Sequence, residues 1–328
     1  MPLLDREEMT HQAWLDSRRH SIGASEVAAV LGLNPYQGPH TVACKKLGTY
    51  KGEATNDAIE LGILFEAPIY EAFQRRIKRA SEGSWAFGSC SWVLQHPECP
   101  MLTTNLDGWG EREVHLELGT EPGEKTASYL ERFVVEIKHV GTYGRPAWKQ
   151  YKETGAPTGI FVSYWLQVQA QLAVTGFDHG YLVTMIDKEI DWLRIQADEK
   201  AIKSMLTELE AFWRLFIMQG KAPEPDERDM SSLRKIYPRE EEGKTIERPD
   251  MSEAVQQWRA LKKQKSALTA EHLKPISQEM ARLEAVIAAE MRDAETMTSG
   301  TDSKPVTYKT SQRAGYTVKP SAKRILRL

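Results

Sequence analysis

Cysteine is scarce in this chain of 328 residues, which contains only Cys44, Cys90 and Cys99. The count is odd, the spacings are wide, and no CxxC pair occurs. This pattern argues against a disulfide-stabilised scaffold, a cysteine-based zinc site and a four-cysteine iron–sulfur cluster. Three free thiols are typical of a reducing compartment, so we expect a cytoplasmic protein.

Long hydrophobic runs are absent as well. No apolar stretch approaches the roughly 20 residues that a membrane-spanning helix needs. The first twelve residues are polar and acidic, unlike a secretory signal peptide. We therefore expect a soluble protein with no membrane partner.

Excess charge of one sign is also missing, because the formal net charge is −3. Any contact with nucleic acid must then come from local basic patches. One such patch is the segment 301–328, which has seven Lys or Arg against one Asp. Within it Lys319, Lys323, Arg324 and Arg327 are candidates for contacts with DNA phosphates. The alternative is a solvated basic tail, and the sequence does not decide between the two.

The length predicts one large core domain and a smaller appendage. We assign residues 1–222 to the core, the proline-rich and charged residues 223–250 to a linker, and residues 251–328 to a helical hairpin with the basic tail. The hairpin is predicted from a helix over 253–273, a break at Pro275, and a second helix with an apolar stripe. A short strand is expected at 306–309. The stripe repeats at steps of four and three and comprises Ile276, Met280, Leu283, Ile287 and Met291.

The core shows helical periodicity first and strand patterns later, which predicts an α/β fold. Helices are expected at 25–33, where Ser25 would be the N-cap, and at 56–79, 160–175 and 198–218. Short strands are expected between 84 and 140 and at 180–187.

The segment 134–140 carries the most chemistry. As a strand it places Val134, Glu136 and Lys138 on one face and Val135 and Ile137 on the other. A carboxylate and an ammonium group then project side by side. The alternative for this triplet alone is an ion pair on an edge strand.

Two further acidic residues strengthen the case for a site. Asp107 ends a strand-like run before Gly108, although an Asp-Gly pair can also be a hairpin turn. Glu66 is the one charged member of an apolar helical stripe, where a buried carboxylate needs a partner, a proton or a metal; the alternative is a salt bridge. The other members of the stripe are Ile59, Ile63, Tyr70, Phe73 and Ile77.

The helix 160–175 places Tyr164, Gln167 and Gln171 along one flank of its apolar face. A glutamine beside the core can hydrogen-bond a water or a phosphate, or it can be ordinary surface. Carboxylate oxygens without His or Cys partners suit Mg²⁺ or Mn²⁺, and such a site can hold two ions about 4 Å apart. Asp107 and Glu136 would be the main ligands. The Ile137 carbonyl could also ligate, and Glu66 would serve a second ion or a bridging water.

These segments, in this order, resemble the YqaJ-type viral recombinase family. This family contains the lambda-type phage exonuclease and belongs to the PD-(D/E)xK nuclease superfamily. The resemblance covers roughly residues 12–220. It rests on Trp14 and Arg18, IGASEV at 22–27, LGILFE at 61–66, NLDG at 105–108, VEIKH at 135–139 and YWLQVQAQLAVTG at 164–176. Leu106 stands where the motif has proline, and the 29 positions from Asp107 to Glu136 predict an inserted β-excursion.

The resemblance implies a restriction-endonuclease-like core, with a central mixed β-sheet flanked by helices. It implies Mg²⁺-dependent 5′→3′ digestion of linear double-stranded DNA, which leaves 3′ single strands for annealing in a bacterium or phage-infected host. By position, Asp107 and Glu136 would bind metal, Lys138 would be the catalytic lysine, Glu66 the helix carboxylate and Gln167 the supporting glutamine. Arg18, or alternatively Arg19, and Ser25 would receive the 5′-phosphate. A homotrimer and a single-strand annealing partner are also implied.

Two other functions stay open at this point. One is a structure-specific endonuclease or a nuclease of the RecB or Cas4 kind, although the missing cysteine cluster counts against its iron–sulfur members. The other is a non-catalytic scaffold that binds DNA ends during recombination.

Overall fold

The structure is a computed structural model that describes residues 2–5, 16–50, 57–80, 85–117, 126–238, 245, 247, 249–291, 296–297 and 306–307. The chain divides into two compact units, Met1–Tyr237 and Pro238–Leu328. No helix in the described ranges combines the length and the apolar character needed to cross a membrane.

The first unit contains both strands and helices, which occur in groups along the chain. Its strands are β1 (Pro2–Asp5), β2 (Ile22–Gly23), β3 (Trp85–Gly88), β4 (Trp92–Gln95), β5 (Leu102–Thr104), β6 (Gly108–Glu117), β7 (Thr126–Val140), β8 (His179–Ile186) and β9 (Glu189–Gln196). Its helices are α1 (Val27–Val30), α2 (Pro39–Lys46), α3 (Asp57–Ala80), α4 (Arg145–Thr154), α5 (Ile160–Thr175), α6 (Glu199–Phe212) and α7 (Met230–Ile236).

The central sheet is mixed and has the strand order β3-β6-β7-β8-β9. All neighbours are antiparallel except β7 and β8, which are parallel. A parallel pair needs a crossover connection, and α4 and α5 lie in the chain between these two strands. A smaller sheet has the order β1-β4-β5-β2. The predicted fold class, a mixed sheet flanked by helices, is confirmed for this unit.

Each face of strand β7 packs against different helices. Phe133, Val135 and Ile137 pack in one cluster with α3 residues such as Phe73. Val134 and Val140 pack in another cluster with α4 and α5 residues. The predicted alternation along 134–140 is therefore confirmed, and Glu136 and Lys138 lie on the α5 face.

Most of the stretch between Asp107 and Glu136 belongs to two long antiparallel strands, with residues 118–125 outside the described part of the chain. Strands β6 and β7 pair from Gly108 opposite Val135 to Glu117 opposite Thr126. Asp107 and Gly108 lie at the start of β6, so this Asp-Gly pair is not the hairpin turn. Gly108 is required there because a Cβ would lie 2.3 Å from the ring of Tyr70.

Two local predictions are wrong. Ser25 does not cap a helix over 25–33: it lies inside a 3-10 turn, Ala24–Glu26, ahead of the four-residue α1. Ile63 is not in the buried stripe of α3, because its side chain is 59% exposed while Ile69 is 1% exposed. The buried face of α3 is confined to its second half, where the helix packs on the central sheet.

The first unit extends beyond the predicted core boundary at 222. Asp229 is fully buried and accepts hydrogen bonds from the backbone N–H groups of Gly38 and Thr41, each at 3.1 Å. These donors lie at the N-terminus of α2, so Asp229 caps that helix and anchors the segment that leads into α7. Part of the predicted linker 223–250 is therefore folded against the core.

The second unit contains one long helical run. Helix α8 (Ser252–Leu268) continues through a π-helical turn, Thr269–Leu273, into α9 (Lys274–Met291). The predicted helical hairpin is thus wrong, because the wide turn accommodates Pro275 without a loop. Strand β10 (Thr296–Met297) pairs with β11 (Val306–Thr307), within the predicted strand 306–309.

The predicted apolar stripe of α9 lies on an open surface where it is described. The side chains of Ile276, Met280 and Leu283 are 57%, 56% and 45% exposed. The side chains of Ile287 and Met291 lie outside the described residues.

Candidate active site

Beyond the first residue of β6, the backbone N–H and C=O groups on that edge of β7 no longer have a strand partner in β6. The pairing of β6 with β7 ends at Gly108 and Val135. Asp107, the residue before Gly108, then contacts β7 through its side chain. Its Oδ2 accepts a hydrogen bond of 2.8 Å from the Ile137 N–H. Because the N–H and C=O of one strand residue point to the same edge, the Ile137 carbonyl also lies on the edge that carries Asp107.

Glu136 is held by several donors. Its side chain is 1% exposed. Oε1 accepts a hydrogen bond of 2.6 Å from Gln167, and Oε2 accepts one of 2.5 Å from Gln171. Lys138 forms a salt bridge with Oε1. Both glutamines come from α5, so the flank predicted from helical spacing faces the carboxylate on β7.

Lys138 is a cation in this environment. Burial lowers its pKa, but the carboxylates of Glu136 and Asp107 outweigh that effect and raise the pKa above its ordinary value. Its Nζ lies 5.3 Å from the centre of the Tyr164 ring, which favours a positive charge. The lysine side chain keeps 23% of its surface exposed.

Asp107 has the opposite electrostatic character. Burial and the nearby carboxylate of Glu136 raise the pKa of Asp107 to about 8. Lys138 and the Ile137 N–H oppose the rise, and Glu66 adds to it. The two carboxylates therefore occupy a region that has too little positive charge for both to be ionised at neutral pH.

Glu66 lies on a different element from this pair. Its side chain is exposed on α3, the helix that packs on the sheet face opposite α5, and it acts on Asp107 electrostatically. Over the described ranges, no three His, Cys, Asp or Glu side chains are gathered closely enough to hold a metal ion. Glu66 influences the Asp107 carboxyl electrostatically, and its predicted role at a second ion or a bridging water stays a prediction.

Arg18 and Ser25 are brought together near the small sheet. The Arg18 Nη2 donates to the Ser25 hydroxyl at 3.4 Å, and both side chains have exposed surface. Arg19 points elsewhere: its guanidinium occupies the space next to Gly48. Of these two arginines, Arg18 is the one whose guanidinium contacts Ser25.

A buried ion pair between Glu26 and Lys46 lies next to Arg18. Glu26 accepts hydrogen bonds from the Gly23 N–H at 2.9 Å and from Lys46 at 2.5 Å. Burial raises the pKa of Glu26, but the positive charges of Lys46 and Arg18 outweigh burial and lower the pKa to about 2. Sequence reasoning missed this pair, because no local spacing connects residues 20 positions apart.

The family model described as a YqaJ-like viral recombinase domain matches residues 13–178. The match spans just over half of the 328 residues. The chain belongs to this family. The resemblance inferred from the motifs is thus confirmed, and the matched region contains every site residue described above.

One curated relative and two solved structures resemble this YqaJ-like protein over 62% to 89% of its length. The YqaJ protein of Bacillus subtilis is 27% identical over 300 residues, which are 89% of this chain and 82% of the relative. An alkaline exonuclease from Laribacter hongkongensis is 19% identical, with a TM-score of 0.46 over 64% of this chain and 94% of that chain. A phage-related exonuclease from Haemophilus somnus is 12% identical, with a TM-score of 0.39 over 62% and 99% of the two chains.

Some predicted residues of this YqaJ-like protein have no structural description. Lys319, Lys323, Arg324 and Arg327 lie outside the described residues. One contact inside the domain was not foreseen: Gln171 was placed on the correct flank of its helix, but its bond to Glu136 was not predicted. The i, i+4 spacing from Gln167 was the available signal.

Proposed function

We propose that this protein is a metal-dependent DNA exonuclease that degrades linear double-stranded DNA from 5′ to 3′ and leaves 3′ single strands. The observation that carries the proposal is the placement of the Asp107 and Glu136 carboxylates beside Lys138 at the open edge of β7. Membership of a recombinase family supports a DNA substrate, since recombination by annealing needs single-stranded ends.

The residues present fit Mg²⁺, with Mn²⁺ as a substitute. Every candidate ligand is an oxygen: the carboxylates of Asp107 and Glu136 and the carbonyl of Ile137. The raised pKa of Asp107 reports a deficit of positive charge between the two carboxylates, and a divalent cation would remove that deficit. Two ions are expected per site, with the exposed Glu66 serving the second one or a bridging water.

The side chains then have distinct tasks. The cation, when bound, lowers the pKa of a water and stabilises the charge that develops on the phosphate. Asp107 and Glu136 hold it, and Gln167 fixes the orientation of Glu136 through its hydrogen bond to Oε1. Lys138 places a permanent positive charge beside the reacting phosphate.

The 5′→3′ direction depends on how the DNA end is held. Arg18 offers a planar donor group next to the Ser25 hydroxyl, and both can hydrogen-bond a terminal 5′-phosphate. We expect duplex with a 5′-phosphate to be digested faster than duplex with a 5′-hydroxyl.

End-labelled linear duplex tests these proposals together. Digestion should require Mg²⁺, stop in EDTA, release 5′-terminal nucleotides first, and spare covalently closed circular DNA. Activity in EDTA or release from 3′ ends only would overturn the proposal. Cleavage of closed circles would favour the structure-specific endonuclease instead.

The pair Arg18→Ala and Arg19→Ala provides a matched test of the 5′ end. We expect Arg18→Ala to remove the preference for a 5′-phosphate and Arg19→Ala to retain it, because only Arg18 lies at Ser25. Equal preferences in the two variants would exclude the Arg18 pocket.

Two assembly features belong to the same proposal. We expect a homotrimer, and we expect a single-strand annealing protein to receive the 3′ strands. Light scattering should give the mass of three chains, and a purified annealing protein should co-elute with the exonuclease. A monomer that digests DNA at the full rate would remove the trimer from the account.

A further inference from the structure

Gln171 lies at the centre of the site, one helical turn after Gln167 on α5, and its side chain is fully buried. We infer that Gln171 is a positioning residue that fixes the two metal-binding carboxylates relative to each other. This inference rests on the proposed function, and it adds a residue that acts through Glu136 and Asp107 rather than on the substrate.

The side-chain amide of Gln171 contacts both segments that carry the proposed metal ligands. The Gln171 Nε2 donates to Glu136 Oε2 at 2.5 Å and to the Asn105 carbonyl at 3.4 Å. Glu136 is on β7, whereas Asn105 lies in the bend between β5 and β6, two residues before Asp107. The amide therefore links the strand that carries one ligand to the bend that carries the other.

The oxygen of the same amide indicates that the side chain is there for its polar group. Gln171 Oε1 is buried and has no hydrogen-bond partner among the described residues. An unsatisfied buried oxygen costs free energy, and the neighbouring Val168 and Leu172 are packed in an apolar cluster. An apolar side chain would fill this position at lower cost if packing were its only role.

Gln167 and Gln171 each hydrogen-bond a different oxygen of the Glu136 carboxylate. Gln167 donates to Oε1 and Gln171 donates to Oε2, so the carboxylate group cannot rotate without losing a hydrogen bond. Hydrogen bonds of this kind to ligating carboxylates tune metal affinity, and their loss typically lowers it about 10- to 100-fold.

A second buried glutamine on the same helix serves as a control. Gln169 is 1% exposed, and both ends of its amide are satisfied by backbone groups away from the site. Its Nε2 donates to the Gln196 carbonyl at 2.8 Å, and its Oε1 accepts from the Asp198 N–H at 2.8 Å. Its loss should destabilise the junction of β9 and α6 and leave the carboxylates in place.

The test compares Gln171→Met with Gln169→Met in the full-length chain. Two quantities are measured: the Mg²⁺ concentration that gives half-maximal digestion of linear duplex, and Mn²⁺ binding without DNA by electron paramagnetic resonance. We expect Gln171→Met to weaken both by about tenfold or more, with the KM for DNA within about twofold of wild type. Gln169→Met should lower the melting temperature but keep both metal midpoints.

Other outcomes decide against the inference. Metal midpoints of Gln171→Met within about twofold of wild type, or equal shifts in the two variants, would show that Gln171 is only structural. If Gln171→Met does not fold, Gln171→Asn replaces it, because its amide is too short to connect Glu136 with Asn105; unchanged midpoints would again overturn the inference. Wild-type protein that binds no Mn²⁺ and digests DNA in EDTA would overturn the proposed function as well.

Discussion

Lys138 connects the carboxylates of the site to the α5 flank, since its amine pairs with Glu136 and lies over the ring of Tyr164. Replacing it with methionine keeps the length of the side chain and removes the charge. We expect Lys138→Met to lower the digestion rate at saturating Mg²⁺ by about 100-fold or more, because a fixed charge at the reacting phosphate is lost. Single-turnover digestion of linear duplex measures this rate.

A lysine outside the site controls for the general loss of charge. Lys149 on α4 is largely exposed and pairs only loosely with Glu153, at 3.8 Å. Lys149→Met should leave the rate unchanged. An equal loss of activity in both variants would show that Lys138 acts on DNA binding in general and not on the chemical step.

Asp107 gives the metal-free protein a specific dependence on pH. Its carboxyl has a folded pKa of about 8 against an ordinary value of 3.8, so the folded state binds a proton that the unfolded state has released between these values. The free energy of unfolding in EDTA should therefore contain a contribution that is full below pH 3.8 and is lost as the pH rises through about 8.

The variant Asp107→Asn isolates this contribution, because its amide oxygen can still accept from the Ile137 N–H. Urea unfolding in EDTA at pH 5, 7 and 9 measures the difference. Wild type should lose stability relative to Asp107→Asn as the pH rises, and saturating Mg²⁺ should reverse the loss in wild type alone. A difference that is independent of pH would contradict the charge deficit at this site.

At the scale of elements, α2 depends on a residue far away in the chain. Asp229 satisfies donors at its N-terminus, including the Thr41 hydroxyl at 2.5 Å. We expect Asp229→Ala to lower the free energy of unfolding by about 2–4 kcal/mol, because a helix cap is lost and buried donors stay unpaired. Urea unfolding of Asp229→Ala and of the exposed Glu227→Ala measures the effect. The second variant should change stability by less than about 0.5 kcal/mol, and equal losses would mean that Asp229 is no anchor.

Local periodicity predicted the elements that carry the site. The alternation along 134–140 placed Glu136 and Lys138 on one face, and helical spacing placed Gln167 and Gln171 on one flank. Both patterns are set by backbone geometry, so they are readable without tertiary contacts. The partners across the interface, such as the bond between Gln171 and Glu136, required the packing of α5 on β7 and could not be read from either segment alone.

Predictions failed where tertiary contacts override local pattern. Ile63 has the spacing of a buried residue, but it lies beyond the part of α3 that packs on the sheet. Pro275 indicated a helix break, whereas the π-helical turn before it absorbs the strain.

At the scale of the whole molecule, the described site residues all belong to the first unit, which ends at Tyr237. The basic residues Lys319, Lys323, Arg324 and Arg327 belong to the second unit, and we propose that they contact DNA phosphates. Replacing all four with alanine should reduce the slope of log affinity against log salt concentration by up to about 3.6, or about 0.9 for each phosphate contact. Fluorescence anisotropy of labelled duplex measures the slope, and an unchanged slope would indicate a solvated tail.

We propose that Glu136 and Asp107 bind the cation that promotes DNA cleavage. The most direct measurement is the rate at which Glu136→Gln digests end-labelled linear duplex in saturating Mg²⁺. This substitution preserves the size of the side chain, and its one amide oxygen can still accept one of the two hydrogen bonds from α5. It removes the charge that binds the cation. We expect a loss of about 1,000-fold or more while the melting temperature stays close to that of the wild type. Digestion at the wild-type rate would contradict metal binding by Glu136.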